Sequence, residues 1–156
     1  MLKKIITAEQ CAACRFCCVF DKDDAWEMPV ISDELAREKC FAACDFETKN
    51  GVRKVKPQFD TDGLFRCPAL GENGCTLADR KPFDCKIWAF RVMRANEVLL
   101  LTLSPFCPAT NGRTVAEIQR FVAESGIADI AFCEAEKNFA AIPEYKDGYA
   151  VYDVRI

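Results

Sequence analysis

Residues 11–18 read Cys11-Ala12-Ala13-Cys14-Arg15-Phe16-Cys17-Cys18, four cysteines within eight positions. A free cysteine packs as a small hydrophobe, and singly it needs no explanation. Four so close together do. Steps of three along the chain let a tightly wound turn aim several sulfurs at one point, which is metal-ligand spacing. On a regular helix advancing about 100° per residue, Cys11, Cys14 and Cys18 share a face while Cys17 points aside. Adjacent Cys17 and Cys18 therefore need not serve the same metal.

Further along, Cys67, Cys75, Cys85 and Cys107 each stand where the backbone is expected to turn: Cys67-Pro68, Gly74-Cys75, Phe83-Asp84-Cys85 and Cys107-Pro108. The chain of 156 residues holds 11 cysteines and no histidine. Disulfides need an oxidising compartment, and an odd count leaves one thiol over. The start, Met1 to Ile6, carries two lysines, and Glu9 and Gln10 follow before any apolar stretch long enough for a secretion signal. A cytoplasmic protein is expected. The longest apolar run, Val98 to Leu103, falls far short of the roughly 20 residues that cross a bilayer. A net charge of −3 and a pI near 5.1 give no long-range pull on phosphate backbones or anionic lipid, so neither nucleic acid nor membrane is an expected partner.

No repeat or Gly/Ser linker divides the chain, which predicts a single domain over 1–156, with a cysteine-cluster core over 11–107 and a helical extension and terminal strand over 114–156. Ser32 and Asp33 are placed to cap a helix through Leu35, Ala36, Lys39 and Cys40 toward Cys44. Asn50-Gly51 and Asp62-Gly63 mark turns, and the stretch from Val52 to Cys67 reads as a hairpin. Pro82 opens a short helix over Phe83 to Trp88, since proline suits a first helical position. Ala89 to Met93 and Val98 to Leu103 read as a second hairpin. Thr114 and Glu117 stand at capping-box spacing ahead of Ile118, Phe121 and Val122, and Gly126 ends that helix. A further helix from Ile127 to Ala141 is expected to bury Ile130, Ala131 and Phe139, and Tyr149 to Ile156 alternates as a strand. The class is α+β: short hairpins and about four helices around a cysteine-ligated metal centre.

The segments around these cysteines resemble the YkgJ family of cysteine-cluster proteins, described as zinc- or iron-chelating domains. Its pattern is CxxCxxCC followed by CPxL, GCxxxxxRPxxCRxFP and a late cysteine. Here the matching stretches are Cys11 to Cys18, Cys67-Pro68-Ala69-Leu70, Gly74-Cys75-Thr76-Leu77, Lys81-Pro82-Phe83-Asp84-Cys85-Lys86-Ile87-Trp88 and Ser104-Pro105-Phe106-Cys107. Lys81 and Lys86 replace arginines, and Trp88-Ala89 replaces Phe-Pro. The resemblance implies metal ligation by Cys11, Cys14, Cys17, Cys18, Cys67, Cys75, Cys85 and Cys107. A related cluster occurs in flagellin lysine methylases, but this chain has no cofactor-binding glycine motif, and methyl transfer is not inferred.

Four thiolates suit tetrahedral zinc and iron–sulfur clusters alike. Structural zinc usually takes paired CxxC knuckles, whereas a dense CxxCxxC run is a familiar signature of a [4Fe-4S] cluster. The spacing therefore favours at least one [4Fe-4S] cluster, serving electron transfer, redox sensing or support of a partner enzyme, with a protein redox partner or client enzyme implied. The alternative is a zinc-stabilised interaction module without catalysis. A metal-dependent enzyme ranks last, because the missing histidines remove the commonest proton-transfer group. Which cysteines share a site stays open. Cys40, Cys44 and Cys133 are read as core packing, the alternative being a Cys40/Cys44 pair that completes a second site; Trp88 and Phe106 are read as shields for sulfur, and Lys81, Lys86 and Arg91 as a solvated face, the alternative being hydrogen bonds to sulfur or attraction of an anionic partner.

Overall fold

The computed structural model describes residues 1–156, and the chain divides into two compact units: Glu9–Cys85, the cysteine unit, and Met1–Ala8 with Lys86–Ile156, the sheet unit. Helices and small antiparallel sheets occur together, a mixed α+β architecture.

In the cysteine unit, helix α1 (Ala8–Cys14) stops because Arg15 adopts a left-handed conformation, φ 56°, after which Phe16–Cys18 form a single 3-10 turn. The regular helix that would put Cys11, Cys14 and Cys18 on one face is therefore broken before Cys17. Strand β1 (Val19–Phe20) does not pair with its neighbours in sequence. The hairpin of β2 (Phe46–Lys49) and β3 (Val52–Val55) closes on Asn50 and Gly51, whose φ values of 51° and 76° suit a tight turn matching the strand twist. The hairpin expected from Val52 to Cys67 is not formed: β4 (Phe65–Arg66) instead pairs antiparallel with β1. The register Phe20↔Phe65 buries both rings, and that burial outweighs the local proximity of residues 52–67. Strands β5 (Leu70–Gly71) and β6 (Gly74–Cys75) form a second small hairpin, and α2 (Phe83–Ile87) follows Pro82 as expected.

The helix expected from Asp33 toward Cys44 is replaced by two 3-10 turns, Leu35–Arg37 and Lys39–Phe41. Ser32 Oγ does accept from the Leu35 N–H, at 3.2 Å, but Glu38 is extended, ψ 145°, and ends the first turn. The break lets Leu35 and Phe41 both enter a core with Phe20, Met28, Ile31, Val55, Phe65, Ala69 and Leu77. Each fully buried side chain of this kind contributes roughly 1.5–3 kcal/mol, enough to override a short helix whose own hydrogen bonds are marginal.

In the sheet unit, β7 (Phe90–Ala95), β8 (Val98–Leu103) and β9 (Ala150–Arg155) form an antiparallel sheet in that order. The β7–β8 hairpin is the expected one, extended through Ala95 to a turn in which Asn96 has φ 57°. After the short helix α3 (Pro108–Asn111), α4 (Val115–Ser125) begins with the full Thr114/Glu117 capping box and ends at left-handed Gly126. It buries Ile118, Phe121 and Val122, with the Phe121 ring 6.0 Å from that of Phe90. Helix α5 (Ile127–Glu136) is shorter than expected, its last part being a 3-10 turn at Phe139–Ala141. Its buried face is Ile127, Ala128, Ala131 and Phe132, while Ile130 and Phe139 are 43% and 46% exposed, correcting the expected face. The i, i+4 pairs 127/131 and 128/132 define the stripe, and Ile130 falls off it.

Candidate metal centre

The cysteine unit brings together thiols far apart in sequence through backbone pairing. Antiparallel pairing of β1 with β4 continues one step beyond the strands: the Cys67 N–H donates to the Cys18 carbonyl at 2.8 Å, setting these residues side by side. The next turn draws Leu70 N–H to the Cys67 carbonyl at 2.9 Å, and the β5–β6 hairpin pairs Leu70 with Cys75. Helix α1 lies against that hairpin so closely that a Cβ added to Gly74 would stand 3.2 Å from the Ala12 Cβ and 3.3 Å from its Cα. Glycine is required there twice over, because its φ is 99°. The Arg15 side chain ties the same two segments, donating from Nε to the Ala12 carbonyl at 3.2 Å and from its guanidinium to the Glu72 carbonyl. Cys85 is carried by α2, where the Asp84 carboxylate accepts from the Val30 N–H at 3.2 Å.

The result is a neighbourhood of sulfurs within electrostatic reach of one another. Cys17 and Cys18 share a hydrogen bond, and Cys17 also feels Cys85 and Cys11. Cys18 and then burial push the Cys17 thiol up, while Cys17 first, then Lys81 and Arg15, draw Cys18 down against the cost of burial. Burial pushes the Cys67 thiol up to about 12, with Cys18, Cys75 and Cys40 adding to the rise. Cys85 is pushed up first by burial, then by Asp84 and by Cys67, Cys18 and Cys75.

Of the cysteines singled out from the sequence, Cys17, Cys18, Cys67, Cys75 and Cys85 are partly buried and act on one another electrostatically, while Cys11, which acts on Cys17, is exposed on α1. Cys14 ends α1 and is exposed, and Cys107 belongs to the sheet unit, where it is buried. No group of three or more cysteine, aspartate or glutamate side chains stands in an arrangement that could hold a metal ion. All 11 cysteines are free thiols. As a residue type, the thiol suits a soft or borderline metal. Thiolates are the ligands such ions select, so binding would have to displace the protons that burial holds on Cys67 and Cys85.

Other expectations are corrected. Cys133 is exposed on α5 and is no part of a core. Phe106, expected to shield sulfur, is 51% exposed and rests edge-on against Tyr149 in the sheet unit. Arg91, read as solvated, is buried on β7. Lys81 is partly exposed, and its charge acts on Cys18. Nothing in the residue spacing announces that Arg15 braces the helix and the hairpin together, although it sits inside the cysteine motif itself. No helix is long and apolar enough to cross a membrane. No family model, curated protein or solved structure matches the chain.

Proposed function

We propose that this protein is a cysteine-ligated metal protein whose cysteine unit holds at least one [4Fe-4S] cluster and serves electron transfer, redox sensing or the support of a partner enzyme. What supports the reading most directly is the backbone pairing that sets Cys18 beside Cys67, with Cys11, Cys17, Cys75 and Cys85 within electrostatic influence of these two or of one another. Resemblance of the cysteine spacing to the YkgJ pattern supports it, and the dense run from Cys11 to Cys18 favours iron–sulfur over zinc.

When bound, such a cluster supplies one-electron transfer at a potential set by its surroundings. The protein's part is to hold and tune it. Burial around Cys67 and Cys85 lowers the local dielectric, and Lys81 and Arg15 place positive charge beside Cys18, which favours the more negative, reduced state of any redox centre held there. An acidic chain lacking long apolar helices suits a cytoplasmic role with a protein redox partner or client enzyme, without nucleic acid or membrane.

Protein isolated without oxygen should be brown, contain iron and acid-labile sulfide, and lose its visible absorption with dithionite. Colourless protein holding stoichiometric zinc would replace the cluster by the structural alternative, in which closed zinc sites contribute about 10 to 16 kcal/mol to folding. Absence of any bound metal after anaerobic reconstitution would overturn the reading. Cys17→Ser and Cys85→Ser should each lose metal, whereas Cys133→Ser should keep it.

A further inference from the structure

The sheet of the sheet unit has two edges, and they differ. At β7 the edge is covered: the Arg94 N–H donates to the Pro143 carbonyl, and the Arg94 carbonyl accepts from the Tyr145 N–H, both at 2.8 Å. At the other end of the order β7-β8-β9, strand β9 is an open edge, with Val151 and Val154 45% and 53% exposed. The direction of its peptide groups follows from Arg94. Because Arg94 turns its N–H and carbonyl away from β8, its partner Leu99 turns its own toward β9, where it meets Arg155. One residue back, Val154 therefore presents its N–H and carbonyl to the open edge. In keeping with this, the Asp153 carboxylate of the same strand accepts from the Val154 N–H, at 2.8 Å.

An edge of this kind is a template for another strand. The register shift opposite Leu101 and Thr102 leaves Tyr152 as a bulge, so the regular stretch of β9 is Asp153-Val154-Arg155. A two-fold axis that pairs this stretch with its own copy has three possible centres. Centred on Asp153 it opposes two carboxylates, and centred on Arg155 it opposes two guanidinium groups; like charges directly opposite destabilise a sheet. Centred on Val154 it sets Asp153 opposite Arg155 of the second copy, twice by symmetry, and lets the two Val154 peptides exchange hydrogen bonds. The apolar row Met93, Leu100, Val154 then continues into the same row of the second copy. We propose that β9 is the interface of a symmetric dimer, in which two copies of this chain pair antiparallel about Val154. On pairing, Asp153 gives up the Val154 N–H and turns to the second copy's guanidinium. Arg155 also pairs with Asp129 at 2.6 Å and Glu136 at 3.7 Å on α5, so the second copy's Asp153 is a third carboxylate at one cation. The proposal does not depend on metal binding by the cysteine unit.

The test is the association state of the intact protein, kept under a thiol reductant so that exposed Cys11, Cys14 and Cys133 form no links between chains. Sedimentation velocity should show monomer and dimer in an equilibrium that shifts with concentration. Backbone hydrogen exchange read by mass spectrometry should slow by roughly tenfold or more over residues 151–155 where the dimer prevails, and stay unchanged along β7. Protein that remains monomeric at several hundred micromolar overturns the proposal, as does a dimer whose β9 exchanges as fast as in the monomer. Asp153→Arg and Arg155→Asp should each be monomeric at concentrations where the wild-type protein dimerises, since each opposes like charges across the axis. An equimolar mixture of the two should dimerise again, because the opposed charges then match. Dimers that persist in both single variants, or a mixture that stays monomeric, would refute the register. Circular dichroism checks the fold of each variant, and the exchange measurement on wild-type protein decides the question where a variant fails to fold.

Discussion

Replacing Gly74 by alanine tests whether the approach of α1 to the β5–β6 hairpin organises the cysteine unit. Two costs add. At φ 99° an L-residue is strained by roughly 1–3 kcal/mol. The new methyl would also stand 3.2 Å from the Ala12 Cβ and 3.3 Å from its Cα, a separation that forces helix or hairpin to yield by a few tenths of an ångström. Overpacking of this kind typically costs about 1–3 kcal/mol. Gly63 supplies the control, for its φ is 78° but nothing lies within 4 Å of its added Cβ, so Gly63→Ala carries strain without the contact. Urea unfolding of metal-free protein should therefore find Gly74→Ala less stable than Gly63→Ala by about 1–3 kcal/mol. Loaded protein should lose metal to a chelator faster in Gly74→Ala alone, because Cys11 on α1 and Cys75 on the hairpin are moved apart. Equal stability and equal metal retention in the two variants would refute the idea that this contact positions the thiols.

Thr114→Ala removes the side-chain acceptor for the Glu117 N–H and should cost about 1 kcal/mol of thermal stability while leaving metal content unchanged. Glu117 is held below the ordinary carboxylate range first by the Thr114 N–H, so its stabilising effect is present above the usual carboxylate pKa and is lost as pH falls through the lowered value. Glu117→Gln should flatten the acid limb of the stability curve measured by denaturant unfolding across pH. Ile127→Ala, at a position with 0% exposure, should cost about 2–5 kcal/mol, whereas Ile130→Ala on the open face should stay within about 0.5 kcal/mol. The reverse order in thermal unfolding would mean that α5 presents its other face to the sheet.

The elements that could be read from the chain are those whose signals are local. The capping box at Thr114 and Glu117, the terminator Gly126, the β7–β8 hairpin and the helix opened by Pro82 depend on residues a few positions apart, and each forms as expected. The misread elements depend on distant partners. Ser32 supplies its cap, yet the helix beyond it breaks because Leu35 and Phe41 gain more by entering the core than by continuing one helical stripe. Asp62 and Gly63 do turn the chain, but the strand that follows pairs with Val19 and Phe20 across more than 40 intervening positions, and no local signal announces such a partner.

For the candidate centre, residue types and spacing alone established that thiols are abundant, histidine is absent and Cys11 to Cys18 form a dense group suited to metal. Tertiary structure alone decided which sulfurs become neighbours. Cys18 comes beside Cys67 through a strand pairing, and α1, which carries Cys11, lies close against the hairpin that carries Cys75 because Gly74 lacks a side chain. Chemical identity is written residue by residue, but proximity between distant residues is fixed by the collective balance of burial and hydrogen bonding, which no short stretch of the chain contains.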